Sequence, residues 1–426
     1  MCSVQERQRS AGRPGAGRPF ALFPIVSAAV PAAVLALLLT AAPLGVGGAT
    51  AAAAGVRSTA AAASGASQWN DLYAVSCAGV SACVAVGAQS SGALAEVWNG
   101  TAWQIVTVPE LNGSTAAQLN GVSCTAANAC VAVGYDFVGL DQLPLAEAWN
   151  GTSWKIEAAP DPAGQEKVEL TGVSCTHPDA CVAVGWYWNS SDVGVTLSEV
   201  WNGTSWKIEP TPNPAAPRAS GFLLEGVSCT APDACRAVGD WEGFGQRGAI
   251  GATLAEVWNG AVWKLQSIPN PKGYGGGILN GAACSGPRGC VAAGNHDNVH
   301  GVSVPLAEGW DGKAWALRPL PNPVQASDSY LNGVSCSAAG ACTGVGYYYE
   351  SLAGDNVALA ERWDGTSWKL QAPADPTPDS ILAGVSCTQA DRCVAVGQYY
   401  NSSQVGLTLA EVWNGTTWAV QPTPNP

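Results

Sequence analysis

Residues 170–175 read Leu170-Thr171-Gly172-Val173-Ser174-Cys175, and five residues further on the chain continues Cys181-Val182-Ala183-Val184-Gly185. After a variable stretch comes Leu197-Ser198-Glu199-Val200-Trp201-Asn202-Gly203-Thr204-Ser205-Trp206, and Pro212-Asn213-Pro214 closes the unit. This pattern occurs seven times in the 426 residues, with first cysteines at Cys77, Cys124, Cys175, Cys229, Cys284, Cys336 and Cys387. A period of 47 to 55 residues marks a repeat architecture, which governs how every other motif is read.

Each copy holds four strand candidates. Leu-x-Gly-Val-Ser-Cys is the first. Cys-Val-Ala-Val-Gly, β-branched and bounded by Gly, is the second. Leu-Ala-Glu-Val-Trp, which alternates, is the third, and Trp-Lys-Ile-Glu with its variants is the fourth. Asn-Gly or Asp-Gly joins the last two, and a two-residue type I′ turn is expected there because both residues tolerate φ > 0. Four antiparallel strands repeated seven times give an all-β fold, a seven-bladed β-propeller with one hairpin disulfide per blade. The rival is a β-solenoid, whose repeats are usually shorter and lack three hairpin-like connections. The repeats run about 70–113, 114–163, 164–217, 218–272, 273–324, 325–377 and 378–426, and 51 Gly with 28 Pro fit a turn-rich chain.

Residues 1–54 read as a signal peptide. Arg7, Arg9, Arg13 and Arg18 precede an uncharged run from Phe20 to Leu44, and small residues follow. The long apolar region also suits an uncleaved N-terminal anchor, the one way this chain would meet a membrane. Residues 55–69 form an Ala/Ser/Gly-rich leader. Without residues 1–54 the chain carries 15 Lys+Arg against 31 Asp+Glu. That balance argues against nucleic acid or an anionic membrane surface as partner.

Fourteen of the 15 cysteines form Cys-x5-Cys pairs: Cys77/Cys83, Cys124/Cys130, Cys175/Cys181, Cys229/Cys235, Cys284/Cys290, Cys336/Cys342 and Cys387/Cys393. At the mouth of the hairpin between strands one and two, each pair is close enough to bridge. A metal reading needs convergent ligands, and the chain has three His. Disulfides place the protein in an oxidising, extracellular compartment. Each closes a short loop and contributes no more than about 2–3 kcal/mol.

Two residue types recur in every copy. The Trp-x4-Trp pairs (Trp98/Trp103 to Trp413/Trp418) are sugar platforms or packing between blades, and presence in every copy favours packing. The seven glutamates before the first Trp (Glu96 to Glu411) are acid/base groups or acceptors for turn amides and indole N–H groups, and the same reasoning favours the second.

The Trp-Asn-Gly-Thr-Ser-Trp hairpin resembles the turn of the Asp-box (BNR) propellers, the sialidase-like and photosystem-assembly-factor-like groups. Those place Asp-x-Gly-x-Thr-Trp at the same point of the blade. The resemblance spans all seven repeats and implies the propeller fold. Trp98, Trp149 and Trp201 stand where the box has its Asp. The sialidase arginine triad and its Phe/Tyr-Arg-Ile-Pro motif are absent, and Arg236, Arg288 and Arg392 fall at unrelated places in their repeats. No catalytic residue is therefore carried over. The paired cysteines also resemble secreted repeat proteins of GC-rich Gram-positive bacteria.

Copies differ most in the loops between strands two and three, which share one rim with the blade linkers. Ligand-binding candidates there are Tyr135, Asp136, Trp186, Tyr187, Trp188, Asp240, Trp241, His296, Asp297, Tyr348, Tyr349, Tyr399 and Tyr400. Variable loops on a rigid scaffold carry binding, and aromatic rings beside polar groups suit sugars or a polar peptide. Continuation of the second strand, with packing between blades, is the alternative for each residue. His296 with Asp297 is read as a surface loop before a catalytic or metal pair. No Gly-x-Ser-x-Gly, phosphate loop, metal signature or cofactor fingerprint occurs. The reading is a monomeric, secreted or cell-surface binding propeller for carbohydrate or a protein, more readily a binder than an enzyme. The first alternative is a carbohydrate-active hydrolase or lyase using Asp136, Asp240, Glu242, Asp297 and Glu350. The second is a structural envelope protein without a ligand.

Overall fold

The computed structural model describes residues 69–162, 167–216, 218–245, 248–273, 276–374, 376–377 and 379–425. Residues 1–54, read above as a signal peptide or anchor, and nearly all of the segment read as a leader lie outside them. Twenty-eight strands build seven four-stranded antiparallel blades, spanning 70–105, 114–156, 168–208, 219–265, 277–317, 326–371 and 380–421. In each blade the strands pair in chain order. Parallel bridges join Gln142 to Lys167 between blades 2 and 3 and Gly194 to Gly221 between blades 3 and 4. First strands of neighbouring blades touch all the way round, blade 7 against blade 1 included, so they are innermost. Among the described residues no helix is long and apolar enough to cross a membrane.

Three sets of repeated contacts tie the blades together. On the inner strands, a Cβ on Gly226 would lie 2.9 Å from the Gly281 Cα, and one on Gly384 would lie 2.9 Å from the Ala74 Cα. At Gly226 and Gly384 glycine is thus needed for close approach of two backbones. Next to it, the Ser hydroxyl of one blade accepts the N–H of the first Cys of the next. Ser76 reaches Cys124, Ser123 reaches Cys175, and Ser386 closes the ring onto Cys77, all at 2.9–3.0 Å. Blade 5 has Ala283 in place of Ser and offers no hydroxyl to Cys336. Further out, Trp149 and Trp154 of blade 2 pack on Val84, Val86 and Ala95 of blade 1. Blade 1 meets Val396 and Ala410 of blade 7 in the same way through Leu72 and Trp103. The second Trp of each pair is 4–6 % exposed, which at about 150–250 Å² per ring is worth roughly 4–6 kcal/mol of gross burial.

All seven disulfides are formed: Cys77–Cys83, Cys124–Cys130, Cys175–Cys181, Cys229–Cys235, Cys284–Cys290, Cys336–Cys342 and Cys387–Cys393. Each joins directly facing Cα atoms 3.9–4.0 Å apart. They sit at the mouth of the hairpin as expected, and the structure adds that they are buried. The second cysteine of every pair, Cys83, Cys130, Cys181, Cys235, Cys290, Cys342 and Cys393, is at most 3 % exposed. Each belongs to the hydrophobic core between blades, with its first cysteine packed beside it. Register is the reason. Cys235 faces Trp258, Cys290 faces Trp310, Cys342 faces Trp363 and Cys393 faces Trp413 across the second and third strands. Residues directly opposite share one face of a sheet, so the sulfur goes into the interface together with the indole. Two neighbours across the interface are polar. Arg236 Nη1 donates to Cys290 Sγ at 3.7 Å, and the Thr343 hydroxyl lies 3.6 Å from Cys393 Sγ.

The strand three to four turn differs from expectation as well. Trp98 faces Trp103, so four residues form the loop, and only its glycine has positive φ, 93° at Gly100. Asn99 Oδ1 accepts the N–H groups of Thr101 and Ala102 and the Thr101 hydroxyl. A two-residue turn leaves no room for those bonds, and the side-chain cap selects the wider loop. It also brings the two indoles of each blade to 5.5–5.8 Å.

The glutamates correct a further expectation. All seven are 0 % exposed, and both carboxyl oxygens of Glu96, Glu147, Glu199, Glu256, Glu308 and Glu361 lack a hydrogen bond. The indole N–H groups of Trp103, Trp315 and Trp418 donate instead to Gln421, Gln266 and Gln371 of the preceding blade. The exception is Glu411, whose Oε2 accepts the Ala374 N–H at 2.7 Å. Ala374 lies in the linker from blade 6, and in the other linkers its place belongs to Pro109, Pro160, Pro212, Pro269, Pro321 and Pro424. Proline has no N–H to give. Burial pushes these six carboxyls up to about 8, with the neighbouring Thr408 hydroxyl holding Glu96 back, so they are neutral acids near neutrality.

These carboxyls make stability depend on pH. The folded state keeps their protons up to about pH 8, whereas free glutamates release them near 4.5. Between those values the folded state binds more protons, so stability falls as pH rises. The urea midpoint should be higher at pH 5 than at pH 8, and Glu256→Gln should add about 1–3 kcal/mol at pH 8 with little effect at pH 5. A midpoint that climbs from pH 5 to pH 8 would exclude this account. The inner glycines give a graded test. Gly226→Ala should cost about 1–3 kcal/mol through overpacking. Gly281→Ala, whose Cβ would sit 3.6 Å from the Gly333 Cα, should be near neutral in the same urea titration.

Candidate functional site

The thirteen rim candidates lie on strands, not in loops. Second strands run Ala129–Val138, Ala180–Trp188, Ala234–Gly245, Gly289–Asp297, Ala341–Glu350 and Arg392–Tyr400, and every candidate falls inside one of them. The aromatic residues extend the β ladder before the chain turns, because β propensity and cross-strand pairing carry it past the glycine.

Strand alternation divides the candidates by face. Tyr187, Tyr348 and Tyr399 point to the preceding blade and wedge into its core, Tyr187 against Val131 and Val133 of blade 2. Trp241 and His296 share that direction and are half-buried. Asp136 does too, but its carboxylate ties down a linker, accepting the Leu111 N–H at 2.8 Å and the Ser114 hydroxyl at 2.6 Å. Tyr135, Trp186, Trp188, Asp240, Asp297, Tyr349 and Tyr400 face the following blade. Trp186 and Trp188 meet edge to face at 6.2 Å. Asp240 is 2 % exposed. His296 Nδ1 lies 3.3 Å from the Asp297 carbonyl, and Asp297 Oδ1 accepts the Ser303 hydroxyl at 2.6 Å. Asp297 is therefore turned from the imidazole toward its own hairpin. Among the described residues, no three His, Cys, Asp or Glu side chains are grouped to hold a metal ion.

Sequence reading missed the polar groups at the start of the first strands, which the fold sets beside Tyr135 and Tyr400. The Tyr135 hydroxyl donates to Gln118, Gln118 donates to Asn120, and Asn120 donates across to Glu169 of blade 3, at 3.1, 2.6 and 3.1 Å. Gln142 donates to the other Glu169 oxygen at 3.4 Å. In blade 1, burial raises Asp71 to about 7, and the Tyr73 hydroxyl beside it holds the shift back. Tyr73 lies near Tyr135 and Tyr400, and burial raises its hydroxyl well above the usual tyrosine range. The signal was the residue before each buried Leu, which is Asp71, Gln118 and Glu169 in blades 1–3 but Leu223, Ile278 and Ile381 in blades 4, 5 and 7. Polar mouth residues thus gather on one side of the ring, while the candidates on blades 4–6 stand apart from them.

Two clefts open on the opposite rim, among the disulfides and Asn-Gly loops. One of about 350 Å³ lies between blades 2 and 3, and one of about 180 Å³ between blades 1 and 2. Both are lined by tryptophans and hairpin residues, and the first also by Val131, Ala148 and Glu157.

No protein-family model matches the chain, and no curated protein is similar to it. Solved structures similar to it include YCF48 from Cyanidioschyzon merolae, at 13 % identity and TM-score 0.40 over 76 % of this chain and 89 % of that one. The fucose-specific lectin from Aleuria aurantia aligns at 15 % identity and TM-score 0.42, over 75 % and 99 %. AofleA from Arthrobotrys oligospora aligns at 12 % identity and TM-score 0.41, over 68 % and 82 %.

Proposed function

We propose that this protein is a secreted or cell-surface binding propeller, without catalytic activity, that recognises carbohydrate or a protein partner through the rim where second strands pass to third. One observation carries this reading. Aromatic rings at the strand ends stand half-buried beside fixed amides and carboxyls, above all Tyr135 with Gln118, Asn120 and Glu169. Rings supply a flat apolar face, and the fixed polar groups supply direction. Seven formed disulfides support an oxidising compartment, with residues 1–54 as export signal or anchor. The Asn and Asp caps of the hairpin loops support the likeness to Asp-box propellers. Rim carboxylates are less suited to hydrolysis, because Asp136 and Asp297 are engaged in hydrogen bonds on separate blades.

The test is a glycan and polysaccharide array with the purified protein beside a Trp186→Ala/Trp188→Ala double variant. Binding that falls at least tenfold in the variant, with an unchanged melting temperature, is the expected result. Tyr187→Ala, which opens a core cavity, should instead lower stability by about 2–4 kcal/mol. A folded protein that binds nothing on the array leaves the carbohydrate reading without support.

A further inference from the structure

Three arginines from three different positions in the repeat converge on one place. Arg236 lies on the second strand of blade 4, Arg318 just after the fourth strand of blade 5, and Arg362 on the third strand of blade 6. Each guanidinium covers the first Trp of the next blade: Arg236 over Trp310 at 4.6 Å, Arg318 over Trp363 at 5.5 Å and Arg362 over Trp413 at 5.7 Å. Gly309 leaves the room that the Arg318 side chain fills. Three of the seven interfaces thus place a cation on an indole face.

Blade 2 carries Val131, Ala148 and Glu157 at the positions of Arg236, Arg362 and Arg318. All three line the 350 Å³ cleft, together with Trp201 and Asp179. At the position of Ala148, blades 1, 3, 4 and 7 have Val97, Val200, Val257 and Val412. Interface 2/3 is thus the one with a small residue there and no arginine of its own. Its Trp201 is half-buried at the cleft wall. Glu157 brings a carboxylate to the site, bound only to the exposed Lys155 at 2.8 Å, a surface pair of little strength. An indole face, a nearby carboxylate and a gap at the place where three other interfaces hold a guanidinium describe a receptor for that group.

We propose that the cleft between blades 2 and 3 binds an arginine side chain of a partner peptide. The guanidinium lies over Trp201, as Arg362 lies over Trp413, and its N–H groups reach Glu157 and Asp179. A formal charge of −13 on the chain favours approach of a basic segment. This site lies on the rim opposite the one argued above and does not depend on it.

The experiment titrates the full chain with the peptide Gly-Gly-Arg-Gly-Gly, blocked at both ends, and with its citrulline counterpart, by calorimetry and tryptophan fluorescence. Citrulline keeps the shape and removes the charge. The arginine peptide should bind saturably, and the citrulline peptide at least tenfold more weakly. Glu157→Gln should weaken arginine binding about tenfold. Ala148→Arg should abolish it while raising the melting temperature, because the cleft then holds its own guanidinium. Trp186→Ala/Trp188→Ala should leave it unchanged, which separates this site from the other rim. Absence of saturable binding by the folded wild type, equal binding of both peptides, or undiminished binding by Glu157→Gln overturns the proposal. The peptide comparison and Glu157→Gln decide the matter even if Ala148→Arg does not fold.

Discussion

The gap between adjacent blades is the constraint on which the rest depends. On the axis it is set by backbone touching backbone, as where Gly226 meets Gly281. A Ser hydroxyl then locks one blade to the next Cys in six of the seven interfaces. Once the inner edges are pinned, the blades splay outward, and the wedge between them must be filled by something that grows with radius. Leucine fills it near the axis, and the paired tryptophans fill it further out, with the second cysteine of each disulfide on the same face. A closed ring has no interface that can be left thinner than the others, which is why the same residues return in every copy.

That repetition has a cost at the glutamates. Each carboxyl is carried into an apolar interface by its place between Leu and Trp on the packed face. The linker that passes over it has proline where an amide could have answered it, except at Ala374. The proline stops the ladder and sets the extended crossing to the next blade. It also leaves six buried carboxyls whose neutral form burial favours.

Differences between copies show where the scaffold has been adapted. Interfaces 4/5, 5/6 and 6/7 place an arginine over the first tryptophan from three unrelated positions. Interfaces 1/2, 3/4 and 7/1 have Val97, Val200 and Val412 at the position of Arg362, and interface 2/3 has Ala148. On the other rim, polar residues gather at the first strands of blades 1–3 and apolar ones at blades 4, 5 and 7. Neither asymmetry changes the fold, because both lie beyond the contacts that fix blade spacing.

Period, blade count, strand order and disulfide pairing were legible in the sequence because they are local. They depend on residues within one hairpin, and seven copies repeat the message. Burial of the tryptophans was legible for the same reason, since every interface demanded them. Contacts between blades were not legible, because residues some fifty positions apart meet there and no local pattern registers them. Pairing of Cys235, Cys290, Cys342 and Cys393 with their partners could be read from spacing, but their burial against a neighbouring blade could not. Arg236, Arg318 and Arg362 stand at unrelated points of their repeats, and only the ring brings them over equivalent tryptophans, Trp310, Trp363 and Trp413. The four-residue Asn-capped loop, the unanswered glutamates and the inward wedge of Tyr187, Tyr348 and Tyr399 belong to the same class. Local chemistry determined what each blade is, and the closed geometry decided which side chains face a neighbour and which remain free to meet a ligand.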